Sequence, residues 1–250
     1  MPLIASEALV LRTYKFGETS KIVVLLTRDR GKVRAVAKGA RGGKPRYGSA
    51  LEPLSEVRVT LHGRQGADLV RLGQCELVRS AFPSTGRALE SALAMSYFAE
   101  LLDAFAQEGE AEDAVYRLAV AVLAAAADRA DIAMLTRYLE AWLLRLHGIY
   151  PSLDRCAGCD AALPAGGLPY HAVAHGFVCE ACGPASGPVL AGGLRDHLRD
   201  VFRRPPAAIT GMPGDAAVLE GFHRELIRTH LERDLHSHRV LRDVGREMRG

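Results

Sequence analysis

The stretch Lys32-Val33-Arg34-Ala35-Val36-Ala37-Lys38 decides the fold of the first third of the chain. Its odd-numbered positions are all apolar, whereas three of its four even-numbered positions are basic, which is the alternation of a β-strand with one buried face. Similar apolar or alternating runs lie on both sides of it, at residues 8–14, 22–26, 57–61 and 69–78. Five short strands with Gly-rich turns predict a small closed barrel, and the OB-fold is the commonest five-stranded type.

Charge is distributed unevenly along the 250 residues, although the net charge is only +3. Residues 1–80 contain fifteen Lys or Arg against seven Asp or Glu, a balance of +8, whereas residues 81–250 have a balance of −5. All five lysines lie within the first forty-four residues. Such an asymmetry indicates a polyanionic partner for the N-terminal part of the chain.

The segment after the central strand, Lys38-Gly-Ala-Arg41-Gly-Gly-Lys44-Pro-Arg46, combines glycines with basic side chains. Glycine lets a backbone approach a phosphate closely, and Lys or Arg neutralises the phosphate. No Ser or Thr follows Lys44 and no helix is predicted after it, which excludes a Walker A loop and a dinucleotide-binding fingerprint. The alternative is a solvated basic edge that only prevents the barrel from pairing with other strands.

Only two acidic residues, Glu18 and Asp29, lie between Arg12 and Arg46, and this favours nucleic acid over the solvated edge. The predicted contacts with nucleic acid are Lys15, Lys21, Arg28, Lys32, Arg34, Lys38, Arg41, Lys44 and Arg46.

Aromatic side chains are scarce in the same region, where residues 1–80 contain only Tyr14, Phe16 and Tyr47. OB-folds that hold single strands usually stack bases on exposed rings. So few rings predict sequence-independent binding that is dominated by the phosphate backbone and tolerates both single and double strands.

Beyond residue 81 the hydrophobic period becomes that of amphipathic helices. Apolar residues recur every three or four positions through residues 89–105, 113–127 and 132–146, and again through 190–201 and 219–231. We therefore predict an α+β multidomain chain. It consists of an OB-fold domain at 1–80, an α-helical domain formed by 81–153 and 187–250, and a four-cysteine, zinc-ribbon-like insert at 154–186.

The insert contains the strongest single motif, Cys156-Ala-Gly-Cys159 followed after nineteen residues by Cys179-Glu-Ala-Cys182. Two residues between cysteines let a tight turn aim both thiolates at one ion, and two such turns complete a tetrahedron. Four thiolates fill every coordination position, so one structural Zn²⁺ is predicted and no catalytic metal. The alternative is a pair of metal-free or redox-active dithiols. The fifth cysteine, Cys75, is predicted to be a small buried apolar residue.

No arrangement of residues indicates catalysis, and the chain is not expected to be an enzyme. His223, His230, His236 and His238 are assigned to ordinary surface or interface positions on helices. The longest apolar run, at residues 118–127, is too short to cross a bilayer, and residues 1–20 do not resemble an export signal. We therefore expect a cytoplasmic protein without a membrane partner.

Several segments of the sequence together match the pattern of one known family. The N-terminal ones are Val10-Leu-Arg-Thr-Tyr-Lys-Phe-Gly-Glu-Thr-Ser20, Leu26-Thr-Arg-Asp-Arg-Gly31 and Val36-Ala-Lys-Gly-Ala-Arg41. Two more are Leu146-His-Gly-Ile-Tyr-Pro-Ser-Leu-Asp-Arg-Cys-Ala-Gly-Cys159 and His236-Ser-His-Arg-Val-Leu241. These segments resemble the RecO family of bacterial DNA repair proteins, occur in that family's order and span nearly the whole chain.

The resemblance implies an OB-fold followed by an α-helical domain with a zinc insert, and a nucleoid-associated protein. It also implies a recombination mediator that binds single- and double-stranded DNA and anneals complementary strands. With RecR, such a protein places RecA on DNA that is coated by single-strand-binding protein (SSB). The zinc ligands carry over directly to Cys156, Cys159, Cys179 and Cys182, whereas the DNA contacts carry over only as a basic surface.

Two other functions are alternatives to this one. A zinc-ribbon RNA-binding or translation-associated OB-fold protein would use the same basic barrel, and a preference for RNA over matched DNA would identify it. A metal-dependent hydrolase of nucleic acid would need an open coordination position, which four thiolates do not leave.

Overall fold

The computed structural model describes residues 3–41, 46–64, 67–81, 89–128 and 131–247. The chain divides into two compact units, one formed by residues 1–129 and 234–250 and the other by residues 130–233. The predicted domain boundaries at residues 80, 153 and 187 follow changes of secondary structure instead, and they stay a prediction.

Five strands form a closed barrel in the first unit, as predicted. They are β1 (Leu3–Phe16), β2 (Ser20–Thr27), β3 (Gly31–Ala37), β4 (Glu56–His62) and β5 (Val70–Arg79). The order around the barrel is β1-β2-β3-β5-β4, with β3 and β5 parallel and the other neighbours antiparallel. This five-stranded, partly parallel closure confirms the OB-like barrel.

Strand β1 is longer than its apolar run because it pairs with two neighbours. Residues 3–9 pair with β4, whereas residues 8–16 pair with β2. The register shifts between Val10 and Arg12, where the strand passes an irregularity of the kind that bends a sheet. Ser6 and Glu7 in the first half interrupt the hydrophobic pattern, so the sequence did not predict this part.

Side chains alternate between the inside and the outside of the barrel. The interior is filled by small and branched apolar residues, mainly Ala8, Val10, Val23, Leu25, Ala35, Ala37, Val57, Val59, Leu61 and Leu72. On β3 this confirms the predicted alternation, since Lys32 and Arg34 lie on the opposite face from Ala35. Leu9 and Leu26 are also fully buried, although they do not belong to the cluster inside the barrel. Other residues therefore cover them on the outer surface of the barrel.

Six helices follow in the described part of the chain: α1 (Leu89–Phe105), α2 (Asp113–Ala127), α3 (Ile132–Leu146), α4 (Gly192–Val201), α5 (Ala216–Leu231) and α6 (His236–Glu247). In the first unit, α1 packs against β1, β2 and α6. The Glu100 carboxylate on α1 accepts the N–H groups of His236 and Ser237 at 3.1 and 2.7 Å, which satisfies two otherwise unpaired amides at the start of α6. No helix among the described residues is long and apolar enough to cross a bilayer.

The second unit contains α3, α4, α5 and a small sheet. Helix α3 begins after Asp131, whose carboxylate accepts the N–H groups of Ala133 and Met134 at 2.9 and 3.2 Å. Strands β6 (Leu168–His171), β7 (Gly176–Phe177) and β8 (Val189–Leu190) form a sheet in the order β7-β6-β8. The helical period that the sequence predicted from Leu190 therefore begins at Gly192, because Leu190 pairs with Leu168.

Gly31, at the start of β3, is a position where an added methyl group is expected to destabilise the barrel. Its φ is +59°, and a Cβ would overlap the carbonyl oxygens of Gln107 and Glu110. We expect Gly31→Ala to lower the free energy of unfolding by about 3 kcal/mol, as backbone strain and overlap add. Gly17→Ala is the matched control, because its φ is +61° but nothing lies within 4 Å of a Cβ. If both variants lost the same free energy of unfolding in urea, the overlap with the carbonyl oxygens would not be the cause.

Candidate nucleic-acid interface and metal centre

Two of the predicted lysines face each other at the end of the β1–β2 hairpin. Lys15 pairs directly with Lys21, which pairs in turn with Ala37 of β3. Val23 and Ala35 form the next fully buried pair towards the barrel interior. Like charges directly opposite each other destabilise a sheet, and here both lie at its solvent-accessible end. A bound anion would relieve this repulsion.

The segment after β3 is tied to the same hairpin. The backbone N–H of Arg41 donates to the Thr19 carbonyl at 2.9 Å, and its guanidinium donates to the Gly17 carbonyl at 3.2 Å. The backbone N–H of Arg46 donates to the Gly39 carbonyl at 3.3 Å, so Arg46 also belongs to this end of the barrel. We call the five basic residues of this region the hairpin-end cluster: Lys15, Lys21, Lys38, Arg41 and Arg46.

No residue of the hairpin-end cluster forms an ion pair with an acidic side chain in the part of the chain that the structure describes. Arg46 contacts neutral groups, since it donates to the Gly73 carbonyl at 3.3 Å and lies 5.4 Å from the centre of the Tyr47 ring. Lys44, the remaining predicted contact of this segment, lies outside the described residues. Uncompensated positive charge is therefore concentrated at one end of the barrel.

Arg28, in the turn after β2, is instead neutralised by two carboxylates. Its Nε donates to Asp113 at 2.6 Å and its Nη1 donates to Glu7 at 3.1 Å. The hydrogen bond from Arg28 lowers the pKa of Asp113, and the bonds to Asp113 and Glu7 raise the pKa of Arg28. This predicted DNA contact already has anionic partners.

Lys32 and Arg34 are also paired, and they lie on the outer face of β3. The Lys32 ammonium donates to the Asp103 carbonyl at 2.8 Å and lies 3.8 Å from the carboxylate of the same residue. Arg34 forms an ion pair with Glu108 at 2.8 Å. The acidic partners of Arg28 and Lys32 on the helices are 85 and 71 residues away in sequence, so local composition could not indicate them.

The four predicted metal ligands converge in the second unit. The sulfur atoms of Cys156, Cys159, Cys179 and Cys182 all lie within 4.8 Å of one another, and those of Cys159 and Cys179 are 3.7 Å apart. A tetrahedron with metal–sulfur bonds of about 2.3 Å has edges of about 3.8 Å. The four cysteines can therefore hold one metal ion.

Backbone N–H groups stabilise the thiolate form of one of these four cysteines. The Cys156 sulfur accepts the N–H groups of Cys179 at 3.3 Å and Gly158 at 3.4 Å. Hydrogen bonds of this kind, above all the one from Cys179, lower the pKa of Cys156 to about 6. Its thiolate form, which is the form that binds a metal, is thus favoured at neutral pH.

Charged groups on α4 anchor the segment that leads into the cysteines. Asp154 lies 2.5 Å from the Arg199 guanidinium and 3.6 Å from that of Arg195. The hydrogen bond from Arg199 lowers the pKa of Asp154. Arg195, whose side chain is only 4% exposed, also donates to the Pro164 carbonyl within the insert.

Aromatic rings anchor the small sheet of the insert. The Tyr170 and Phe177 rings lie 5.1 and 5.5 Å from the ring of Phe222 on α5. Phe177 and Phe222 are almost completely buried, with exposures of 0% and 1%. The insert thus packs on helices of its own unit through contacts that do not involve the four cysteines.

The sequence did not predict a set of buried polar side chains in the second unit. Glu140 on α3 lies 3.0 Å from the Nδ1 atom of His223 and 3.1 Å from the Arg137 guanidinium. The Tyr150 hydroxyl lies 3.0 Å from the other ring nitrogen of His223. His223 is 0% exposed, so its assignment to a surface or interface was wrong.

The partners of His223 define its protonation. Burial lowers its pKa, so the imidazole is neutral near pH 7. A carboxylate can only accept, so Nδ1–H donates to Glu140 and Nε2 accepts the Tyr150 hydroxyl. Burial and the nearby Glu140 charge raise the pKa of Tyr150, which keeps that hydroxyl protonated. This chain of groups connects α3, α5 and the segment entering the insert.

Family models match both parts of the chain. Residues 1–81 match the model described as "Recombination protein O N terminal", and residues 87–239 match "Recombination protein O C terminal". The chain belongs to the recombination protein O family. This confirms the resemblance found in the sequence.

Named members of the recombination protein O family are similar over most of their length. DNA repair protein RecO of Koribacter versatilis (strain Ellin345) is 35% identical over 92% of this chain and 94% of the relative. The protein of the same name from Anaeromyxobacter dehalogenans (strain 2CP-C) is 32% identical over 94% of both chains. That of Pelotomaculum thermopropionicum is 34% identical over 100% of this chain and 98% of the relative. Membership of the recombination protein O family supports a role in DNA repair.

Proposed function

We propose that this protein binds single- and double-stranded DNA through the hairpin-end cluster and anneals complementary strands. With RecR, it helps to place RecA on DNA that is covered by SSB. The observation that carries the DNA-binding part is the hairpin-end cluster itself, whose five basic side chains lack acidic partners among the described residues, whereas Arg28, Lys32 and Arg34 are ion-paired. The roles of RecR, SSB and RecA rest on family membership.

Annealing needs no covalent chemistry, and we propose that the protein is not an enzyme. Phosphates of two strands repel each other, and a cation held between them lowers that repulsion. Lys15 and Lys21, which repel each other in the free protein, gain most from a phosphate placed between them. Strands that are neutralised in this way approach closely enough for bases to pair.

The metal in this proposal is one Zn²⁺ with a structural role. Four thiolates are the ligand set that zinc prefers in closed sites, and they leave no position for water or substrate. The ion would cross-link the two ends of the segment 156–182 and would take part in no reaction. Cys156, Cys159, Cys179 and Cys182 would hold it.

Neutralising the two facing lysines is expected to weaken DNA binding. We expect Lys15→Gln with Lys21→Gln to lower the affinity for a single-stranded oligonucleotide about tenfold and to reduce the slope of log affinity against log salt by about 1.4. The measurement is fluorescence anisotropy over a series of salt concentrations. Annealing of complementary strands, with and without SSB, is followed in parallel.

The matched control removes two positive charges that already have acidic partners. Arg58 pairs with Glu76 at 3.2 Å and Arg117 pairs with Asp113 at 2.8 Å, so Arg58→Gln with Arg117→Gln should hardly change either quantity. Equal losses in both variants would mean that only net charge matters. Tighter binding to RNA than to matched DNA would favour the RNA-binding alternative.

A further inference from the structure

Two aromatic rings are exposed beside the hairpin-end cluster. Tyr14 and Phe16 are 42% and 46% exposed, and they alternate along β1 with Lys15. Successive side chains of a strand point to opposite faces, so both rings lie on the outer face, with Cα atoms about 7 Å apart. The third ring among residues 1–80, Tyr47, is buried and donates its hydroxyl to the Leu72 carbonyl at 3.2 Å.

The outer face beside Tyr14 is apolar and only half covered. Tyr14 pairs with Ile22 of β2, which pairs with Val36 of β3, and the latter two side chains are half-buried. Helix α1 reaches this face one row further along β1, where Asp103 forms an ion pair with Arg12 at 2.6 Å. The rings lie beyond that contact and remain accessible.

Basic groups border the rings on this face. The guanidinium carbon of Arg12 lies 4.9 Å from the centre of the Tyr14 ring, and the ion pair with Asp103 holds it in that position. Lys38, the first residue after β3, continues the outward side of that strand. Rings with cations next to them are suited to a ligand with both flat apolar faces and negative charge.

We propose that Tyr14 and Phe16 stack against bases of a single DNA strand, an inference that rests on the proposed function of the hairpin-end cluster. Residues on the two faces of the hairpin then have different tasks. Lys15 and Lys21 attract phosphates of any strand, whereas the rings contact only bases whose faces are open. Base faces in a duplex are covered by their neighbours, so the rings give a preference for unpaired DNA.

This preference differs from the expectation based on the small number of rings. A ring-poor barrel predicted binding that is dominated by the phosphate backbone and tolerates both single and double strands. The structure buries Tyr47 but leaves Tyr14 and Phe16 exposed where uncompensated positive charge is concentrated. Two rings at that place are enough to distinguish the two forms of DNA, because stacking adds to phosphate contacts only for open bases.

Replacing both rings by isoleucine tests the proposal in the full, metal-bound chain. Isoleucine keeps an apolar, strand-favouring side chain at each position. We expect Tyr14→Ile with Phe16→Ile to lower the affinity for oligothymidylate at least about tenfold and that for a blunt duplex less than about threefold. The salt dependence of single-strand binding should persist. A 2-aminopurine base in the strand reports stacking directly, since its emission is quenched by the normal chain and recovers with the variant.

The control replaces exposed apolar residues of the barrel away from these rings. Leu77 and Val78 on β5 are 38% and 50% exposed, and Leu77→Ala with Val78→Ala should change neither affinity.

If the double ring variant unfolds at a lower temperature, Phe16→Ile alone serves instead, with an expected loss of about threefold or more for single strands. Equal losses for single strand and duplex, or no loss for either, would overturn the stacking proposal. If the unaltered protein binds no DNA, the proposed function itself fails. Lysine-dependent binding that is insensitive to the rings would remove only the stacking.

Discussion

Removal of the metal is expected to unfold the insert and to lower the unfolding temperature of the second unit by more than about 10 °C. Four cysteine sulfurs lie within 4.8 Å of one another, and as thiolates they would repel each other without a cation between them. The apolar contacts of Tyr170 and Phe177 with Phe222 hold one side of the insert. The two cysteine turns are joined by backbone hydrogen bonds, from Ala157 to the Phe177 carbonyl and from Cys179 to the Cys156 sulfur, which do not cancel that repulsion. Differential scanning calorimetry before and after chelation measures the change.

Cysteine variants separate the metal from other effects of the chelator. Cys159→Ser with Cys182→Ser should abolish stoichiometric metal binding and reproduce the low unfolding temperature. Cys75→Ser is the control, because Cys75 lies in the barrel, where burial raises its pKa to about 11, and it belongs to no cluster of metal ligands among the described residues. Release of one Zn²⁺ per chain would support zinc as the ion. An unchanged unfolding temperature after complete metal loss would refute a structural role.

Replacing Glu140 is expected to produce the second large effect. Glu140→Ala leaves the Arg137 guanidinium, whose side chain is 8% exposed, without its carboxylate and removes the acceptor of His223. An unpaired charge in a protein interior costs far more than the pair contributes. We expect the free energy of unfolding to fall by about 3–5 kcal/mol. Urea unfolding followed by the fluorescence of Trp142, the only tryptophan and a residue of α3, measures this.

A surface carboxylate of the same unit is the control. Glu225 forms an ion pair with Arg228 at 2.7 Å, but both side chains are about half exposed. Glu225→Ala should therefore change the free energy of unfolding by less than about 0.5 kcal/mol. If the two variants lost equal stability, the buried group around Glu140 would have no special energetic role.

The barrel and the metal ligands could be predicted because their signals are local. The alternation around Ala35 reports one buried face, and two residues between cysteines suffice to bring Cys156 and Cys159 together. The first half of β1 could not be predicted in this way. Its pairing with β4 joins residues 47 to 59 positions apart, and Glu7 interrupts its apolar pattern.

The buried group around Glu140 had no sequence signal of this kind. Residues 134–141 of α3 are all buried, so the helix is covered around its whole circumference and not along one stripe. Arg137 and Glu140 are three positions apart, the spacing of ordinary surface ion pairs on helices. Only the positions of His223 and Tyr150 in three dimensions distinguish this pair from a solvated one.

The ion pairs between the barrel and the helices that follow it also determine what a shortened protein would measure. Lys32 and Arg28 are neutralised by Asp103 and Asp113, which belong to α1 and α2. A fragment that ends at residue 80 would lose both helical carboxylates, so Arg28 would keep only Glu7 as its partner, and it would bind any polyanion more strongly and less selectively. If the hairpin-end cluster binds DNA as proposed, helices α1 and α2 thus confine the uncompensated positive charge to the end of the barrel where the DNA would be held.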